Sequence, residues 1–310
     1  MSETPQPAPL PAASARAWIG PLLVLCGGIC IGFAPIGLRL GLDELGPQAI
    51  AFWRYLFALP LLLIMLLVIE RRAPARPVAP IIVAGACFAL DIGLWHWALE
   101  RTTVANATFI VNLGNVCVGV LAWLILKERP TPVWGAAVLV AITGAGFLSL
   151  GGPGDGKSSL SGDLLALAAA VMVAFYMLYS KVARVGLGAM DVIFWLTATE
   201  AVVALGLTLI SGEALLPERA SGFAAPLFLA VVVQIGGQGL IIAGLGRTPA
   251  AIAGVLVLVQ PVTAAAISWQ LFEEPLNAIQ AAGAALILVG VFLAQRGAAR
   301  RPVKPVSQVS

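Results

Sequence analysis

Apolar runs of roughly 20 residues recur from one end of this 310-residue chain to the other, and that repetition restricts the fold more than any other feature. A helix of such length crosses a ~30 Å hydrocarbon core, whereas a water-soluble helix keeps one face polar. With 60% hydrophobic residues, 11% charged residues and a mean hydropathy of +0.98, no such polar faces are available here. The class is an all-α, multi-pass membrane protein. Cutting at charge clusters and Gly/Pro turns places ten spans at about 17–39, 48–69, 78–99, 103–126, 133–150, 162–183, 190–210, 222–246, 249–271 and 276–295. The first run, WIGPLLVLCGGICIGFAPIGL, is longer than a signal-peptide core and reads as a retained span.

Basic residues orient the spans. With a cytoplasmic N-terminus, the inner segments hold Arg16, Arg71, Arg72, Arg76, Lys127, Arg129, Lys181, Arg184, Arg247, Arg296, Arg300, Arg301 and Lys304. Only Arg39, Arg101, Lys157 and Arg219 fall outside. The positive-inside rule then puts both termini in the cytoplasm. Trp18, Trp53, Trp97, Trp123, Trp134, Trp195 and Trp269 lie near span ends and read as interfacial anchors. Cys26, Cys30, Cys87 and Cys117 lie inside spans, as small buried hydrophobes rather than a disulfide framework.

The chain also resembles itself. Displaced by 146 residues, RTTVANA at Arg101 overlies RTPAAIA at Arg247, Trp123 meets Trp269, Glu128 meets Glu274 and Gly144 meets Gly290; displaced by 142, Phe52-Trp53 meets Phe194-Trp195. These matches define two five-span repeats, 17–150 and 162–296. They are joined by an extracytoplasmic linker, 151–161, and flanked by a disordered tail, 1–16, and a basic cytoplasmic tail, 297–310. An odd number of spans per repeat inverts the second relative to the first, the plan of many secondary transporters.

Two five-helix repeats, an aromatic motif in each second span (Phe52-Trp53-Arg54 and Phe194-Trp195), and small-residue fourth spans ending at Glu128 and Glu274 resemble the EamA-type drug/metabolite transporter superfamily. Within it, the chain is most similar to bacterial exporters of aromatic amino acids. The resemblance covers about 17–296 and implies a carrier of a bacterial-type inner membrane that exports amino acids or similar small metabolites. Two positions depart from the pattern: Asn115 stands where the second half has Pro261, and Leu196 stands where the first half has Arg54.

Polarity concentrates in DIGLWHWALERTTVANATFIVNLGNV, residues 91–116. Asp91 lies ~13 Å below the 100–102 turn by helical rise, and Asn112 is about as deep on the neighbouring span. Thr108, Asn112, Asn115 and Gly119 form one stripe; Phe88, Asp91 and Trp95 share a face, while His96 points away from Asp91 and lies nearer the outer surface. Gln234 and Gln238, Glu200, and Gln260 beside Pro261 come from the other half at similar depth. A carboxylate at mid-bilayer costs about 2.5–3.5 kcal/mol, so these residues face a bundle interior or a wet cavity.

Substrate-binding candidates are therefore Asp91, Trp95, His96, Asn112, Asn115, Tyr176, Tyr179, Gln234, Gln238 and Gln260. The amides serve equally as interhelical hydrogen bonds, and the tyrosines as packing. Arg54, ~10 Å deep, is the candidate counter-ion of Asp91, either as a structural pair or within the cavity. Glu200, without a basic partner in the sequence, is the candidate proton-coupling group.

GGPGDGKS, 151–158, satisfies a phosphate-loop pattern, but it follows a membrane helix on the outer side and reads as a connector. No cofactor, metal or nucleic-acid partner is expected, and the single histidine opposes a membrane enzyme. A nucleotide-sugar or lipid-metabolite carrier is the alternative; it requires cations in the cavity, where only Arg54 qualifies.

Overall fold

The computed structural model describes residues 18–102, 104–127, 131–150, 159–272 and 277–299; for 104–106, 115, 148–149 and 295–299 it describes the backbone alone. Both tails and the 151–158 connector lie outside the described residues. All regular structure among the described residues is helical. In chain order the helices are α1 (Ile19–Ile31), α2 (Ala34–Gly41), α3 (Pro47–Val68), α4 (Ala79–Leu99), α5 (Val104–Asn112), α6 (Gly114–Leu126), α7 (Pro132–Leu150), α8 (Leu160–Ala183) and α9 (Ala189–Ser211). After them come α10 (Ala224–Phe228), a π-helical stretch Leu229–Gln238, α11 (Gly239–Leu245), α12 (Ala250–Val257), α13 (Val259–Phe272) and α14 (Ala278–Ala299).

Among the described residues, eight helical runs are long and apolar enough to cross a bilayer: Ile19–Gly41, Pro47–Val68, Ala79–Leu99, Ala107–Leu126, Leu160–Ala183, Ala189–Ser211, Ala220–Leu245 and Ala250–Phe272. Two shorter apolar stretches, Pro132–Phe147 and Ala278–Ala294, lie in α7 and α14. Large side chains such as Leu139, Val202, Leu209 and Phe292 are exposed on the outside of the bundle. An outer surface of that kind is stable against acyl chains and not against water.

Packing follows the repeat. α3 packs on α9 and α7 on α14, each pair joining equivalent helices of the two halves, and α6 packs on α12, the other segment of the equivalent span. α4 packs on α8, while α1 packs on α11 and the π-helical stretch, so exchanging the halves maps one set onto the other. The close crossings use small residues. A side-chain carbon at Gly144 would lie 2.6 Å from the carbonyl oxygen of Gly283, and one at its repeat equivalent Gly290 would lie 2.8 Å from that of Ala137. Gly28 and Gly32 similarly admit Val259 and Thr263. Backbone approach of this kind drives helix association where no hydrophobic effect operates.

Three spans are interrupted. α12 and α13 break at Leu258, whose N–H turns to Val255, three residues back; Pro261 has no N–H to give the Val257 carbonyl. α5 and α6 break within one residue of the corresponding place, at Leu113, with the same kind of three-residue bonds, Leu113 to Ile110 and Val116 to Leu113. The kink is thus symmetric although Asn115 replaces the proline. The first span breaks at Gly32 and Phe33, ahead of Pro35.

Candidate functional site

The deepest polar cluster is built on α9. Glu200, fully buried, accepts from Gln234 Nε2 at 2.6 Å and from Gln238 Nε2 at 2.7 Å. Gln234 also donates to Thr197 Oγ1 at 2.8 Å and to Gln238 Oε1. Its own Oε1 accepts from Arg54 Nε at 3.1 Å and Nη2 at 2.7 Å. The two glutamines sit four apart on the π-helical stretch, one above the other, so a single helix face serves both carboxylate oxygens. Arg54, Gln234, Gln238 and Glu200 therefore form one charge-balanced relay, with the positive and negative ends separated by an amide.

That relay overturns the pairing of Arg54 with Asp91. No ion pair joins them among the described residues; the guanidinium Nε and Nη2 instead donate to Gln234. Glu200, which has no basic partner in the sequence, gains one at the remove of an amide. Asp91 is buried with Oδ1 lacking any partner, and the hydroxyls of Tyr55 and Tyr176 and Nδ1 of His96 share that condition. The Phe88 and Tyr176 rings meet at 4.6 Å, and the Arg54 guanidinium lies 5.1 Å from the Tyr55 ring and 5.9 Å from that of Phe88. His96 is buried.

The remaining candidates are dispersed. Trp95 packs with Ala98, Ala107, Ala166 and Val111 between α4, α5 and α8. Asn112 returns its amide to the Thr108 carbonyl of its own helix at 2.8 Å. Gln260 is half-buried at the α12–α13 break, Tyr179 stacks on Phe175 at 6.2 Å, and the Asn115 side chain lies outside the described residues. Sequence reasoning missed Thr197 and Tyr55. Each had a signal, since Thr197 precedes Glu200 by one helical turn and Tyr55 follows Arg54.

The α3–α9 pair is fastened at both ends. At one end Trp53 Nε1 donates to the Leu215 carbonyl at 2.5 Å, and Glu213 accepts from the Ala49 N–H at 2.8 Å, at the start of α3. At the other, Trp195 Nε1 donates to the Ala75 carbonyl at 2.6 Å, and Asp191, in the first turn of α9, accepts from the Ala75 N–H at 2.8 Å. Arg72 closes the second clasp with two bonds to Asp191, 2.7 and 2.6 Å, and also pairs with Glu70. Each tryptophan, near the start of its helix, reaches the loop that follows the other helix, so the repeat-equivalent helices run antiparallel.

Gly46 and Gly188 cap the two helix starts in the same extended conformation, and a side chain at Gly46 would collide with the Glu213 carboxyl. A carboxylate at each start is favoured by the partial positive charge of the helix N-terminus. Burial pushes the Glu213 carboxyl above its ordinary 4.5, against the lowering pull of the Ala49 and Gln48 N–H groups.

The clasps correct the anchor reading of the tryptophans. Trp18, Trp123 and Trp269 are exposed, as anchors require, but Trp53 and Trp195 are structural donors. Trp134 likewise donates to the Ala251 carbonyl at 3.0 Å and Trp97 to Ser211 Oγ at 3.1 Å.

Comparison with known proteins agrees with this architecture. The chain is 24% identical over 297 residues to the uncharacterized transporter YetK of Bacillus subtilis strain 168, covering 91% of this chain and 84% of that protein. It is 27% identical over 217 residues to YwfM, another uncharacterized transporter of that organism, covering 69% and 72% of the two chains. A solved crystal structure superposes with a TM-score of 0.78 at 18% identity, covering 91% of this chain and 99% of the other, a likeness of fold. The EamA-like transporter family matches twice, over residues 18–150 and 160–295; this chain, with its two repeats packed helix for helix, belongs to that family.

Proposed function

We propose that the protein is a secondary carrier of the bacterial cytoplasmic membrane, exporting amino acids or closely related small metabolites by alternating access. In this reading the chain crosses the membrane ten times, as inverted repeats 17–150 and 162–296 joined by the outer 151–161 linker, with both termini cytoplasmic. The observation that carries it is the α3–α9 pair, antiparallel, clasped at both ends, and enclosing Arg54, Glu200 and their amides at mid-depth. Opening one clasp while the other holds would expose the cluster to one side at a time, which is what alternation between inverted repeats requires.

The kinked spans support the same reading. Asn112 and Gln260 stand at the two helix breaks, where the regular backbone bonding is interrupted, and Asn115 follows the first break in sequence. Gln234, Gln238, Asp91, His96, Trp95, Tyr176 and Tyr179 supply the polar and aromatic lining. Glu200 and Asp91 are the groups able to bind a coupling proton.

Counterflow in proteoliposomes tests the proposal. Purified protein reconstituted with one unlabelled amino acid inside should accumulate the labelled form transiently, for at least one member of a panel of the twenty. Absence of counterflow across the panel, with accumulation of a nucleotide sugar instead, would refute it.

A further inference from the structure

The charge balance around Asp91 identifies what the buried site lacks. Arg54, through Gln234, answers Glu200, and this leaves the Asp91 carboxyl without a cationic partner among the described residues. Three oxygens stand there without partners: Asp91 Oδ1 on α4, Tyr55 Oη on α3 and Tyr176 Oη on α8. All three residues are more than nine-tenths buried, and the Asp91 carboxylate is within electrostatic reach of both phenols. Buried polar atoms are seldom left unpaired, so three orphans on the adjoining helices α3, α4 and α8 mark a place for a ligand.

We propose that Asp91, Tyr55 and Tyr176 form a binding site for a primary ammonium group, the cationic pole of the transported molecule. The proposal rests on the carrier reading above and specifies its substrate class. A primary ammonium has three N–H donors and one positive charge; the site offers three unpaired oxygens, one of them on a carboxyl that a bound cation would hold ionised. The Phe88 ring, 4.6 Å from that of Tyr176, adds an aromatic face beside the cation. Arg54 keeps Nη1 uncommitted, and the phenol protons are free to donate, so a carboxylate on the same molecule finds donors within the cluster. The titratable groups around the site are Arg54 and Tyr55 of α3, Cys87 and His96 of α4, Tyr176 of α8 and Glu200 of α9.

Two measurements on the full-length protein separate this site from the carrier reading. In detergent, phenethylammonium chloride should raise the melting temperature of the protein, and N-acetylphenethylamine should not. Asp91→Asn should lose the ammonium-dependent shift, with apparent affinity falling about 10- to 100-fold as expected for a charge-assisted hydrogen bond. Asp91→Glu should retain part of it, and Tyr55→Phe or Tyr176→Phe should each weaken it. An equal shift in Asp91→Asn, or none in the unsubstituted protein, overturns the proposal. In proteoliposomes, an amino acid that exchanges should do so in preference to its α-keto and N-acetyl analogues. Equal exchange of those analogues overturns the ammonium site while leaving the carrier intact. So does an Asp91→Asn variant that keeps ammonium selection and loses only gradient-driven transport, which would assign Asp91 to a proton. Failure of all amino acids to exchange, with the ammonium-dependent shift still present, would instead count against the amino-acid reading alone.

Discussion

Replacing the two clasp tryptophans one at a time should push the carrier in opposite directions. Trp195→Phe removes the 2.6 Å bond to the Ala75 carbonyl, and Trp53→Phe removes the 2.5 Å bond to the Leu215 carbonyl, while each keeps an aromatic ring. Retaining the ring matters at Trp53, which packs on Phe52, Phe57 and Phe223 at 4.8 to 5.4 Å. A part-buried neutral hydrogen bond contributes about 1 kcal/mol net, and both carbonyls lie in loops where water can replace the indole. One kcal/mol corresponds to about a fivefold change in the ratio of the two access states. Trp195→Phe should raise the inward-open to outward-open ratio about fivefold, and Trp53→Phe should lower it by a similar factor. The double variant should restore the original ratio, because both open states gain equally.

Pulsed electron–electron resonance reads this directly, after the native cysteines are replaced. Spin labels at Ala73 and Gly186 span the Arg72–Asp191 end, and labels at Asp43 and Ala220 span the Glu213 end; all four positions are exposed. The long-distance population should grow at the first pair in Trp195→Phe and at the second in Trp53→Phe. Shifts in the same direction, or growth at both ends in either single variant, would refute the reasoning that the clasps are alternating gates.

Glu200→Gln substitutes one carbonyl oxygen for two carboxylate oxygens that now accept from two glutamines, so one donor loses its partner. The melting temperature should fall by the equivalent of about 1–3 kcal/mol; gradient-driven export unchanged in this variant would remove Glu200 from coupling. Gly144→Val and Gly290→Val should each destabilise by about 1–3 kcal/mol through overpacking of the α7–α14 crossing. Gly206→Ala, with nothing within 4 Å of the added carbon, should be neutral or stabilising in the same thermal assay. Glu213 binds its proton more tightly in the folded protein than in the unfolded chain. Its favourable contribution is therefore complete below 4.5 and lost as pH rises through the folded value. Glu213→Gln should gain melting temperature relative to the unsubstituted protein as pH rises from 4.5 to neutral, and a difference that narrows over that range would contradict the assignment.

Hydropathy and internal similarity by themselves determined the class, the two repeats and the depth of most polar residues. Those properties are local or periodic: a run of about 20 apolar residues must be helical in lipid, where backbone groups have no other partners. The depth of Glu200, Gln234 and Gln238 followed from counting helical rise, and the structure brings all three together. The symmetric kink at Leu113 did not follow, because a break without proline leaves no mark in the sequence. Only the tertiary structure decided which polar groups are partners. Asp91 and Arg54 are equally plausible mates at similar depth, but helix rotation and the π-helical stretch aim Gln234 at Arg54 and leave Asp91 alone. The tryptophans show the same division. Their place near helix ends is written in the chain, whereas their role as donors across the α3–α9 pair depends on loops 162 and 120 residues away in sequence. Hydrogen bonds are directional and short, so their pairing is set by how helices rotate and cross, a property of the packed bundle that no single span contains.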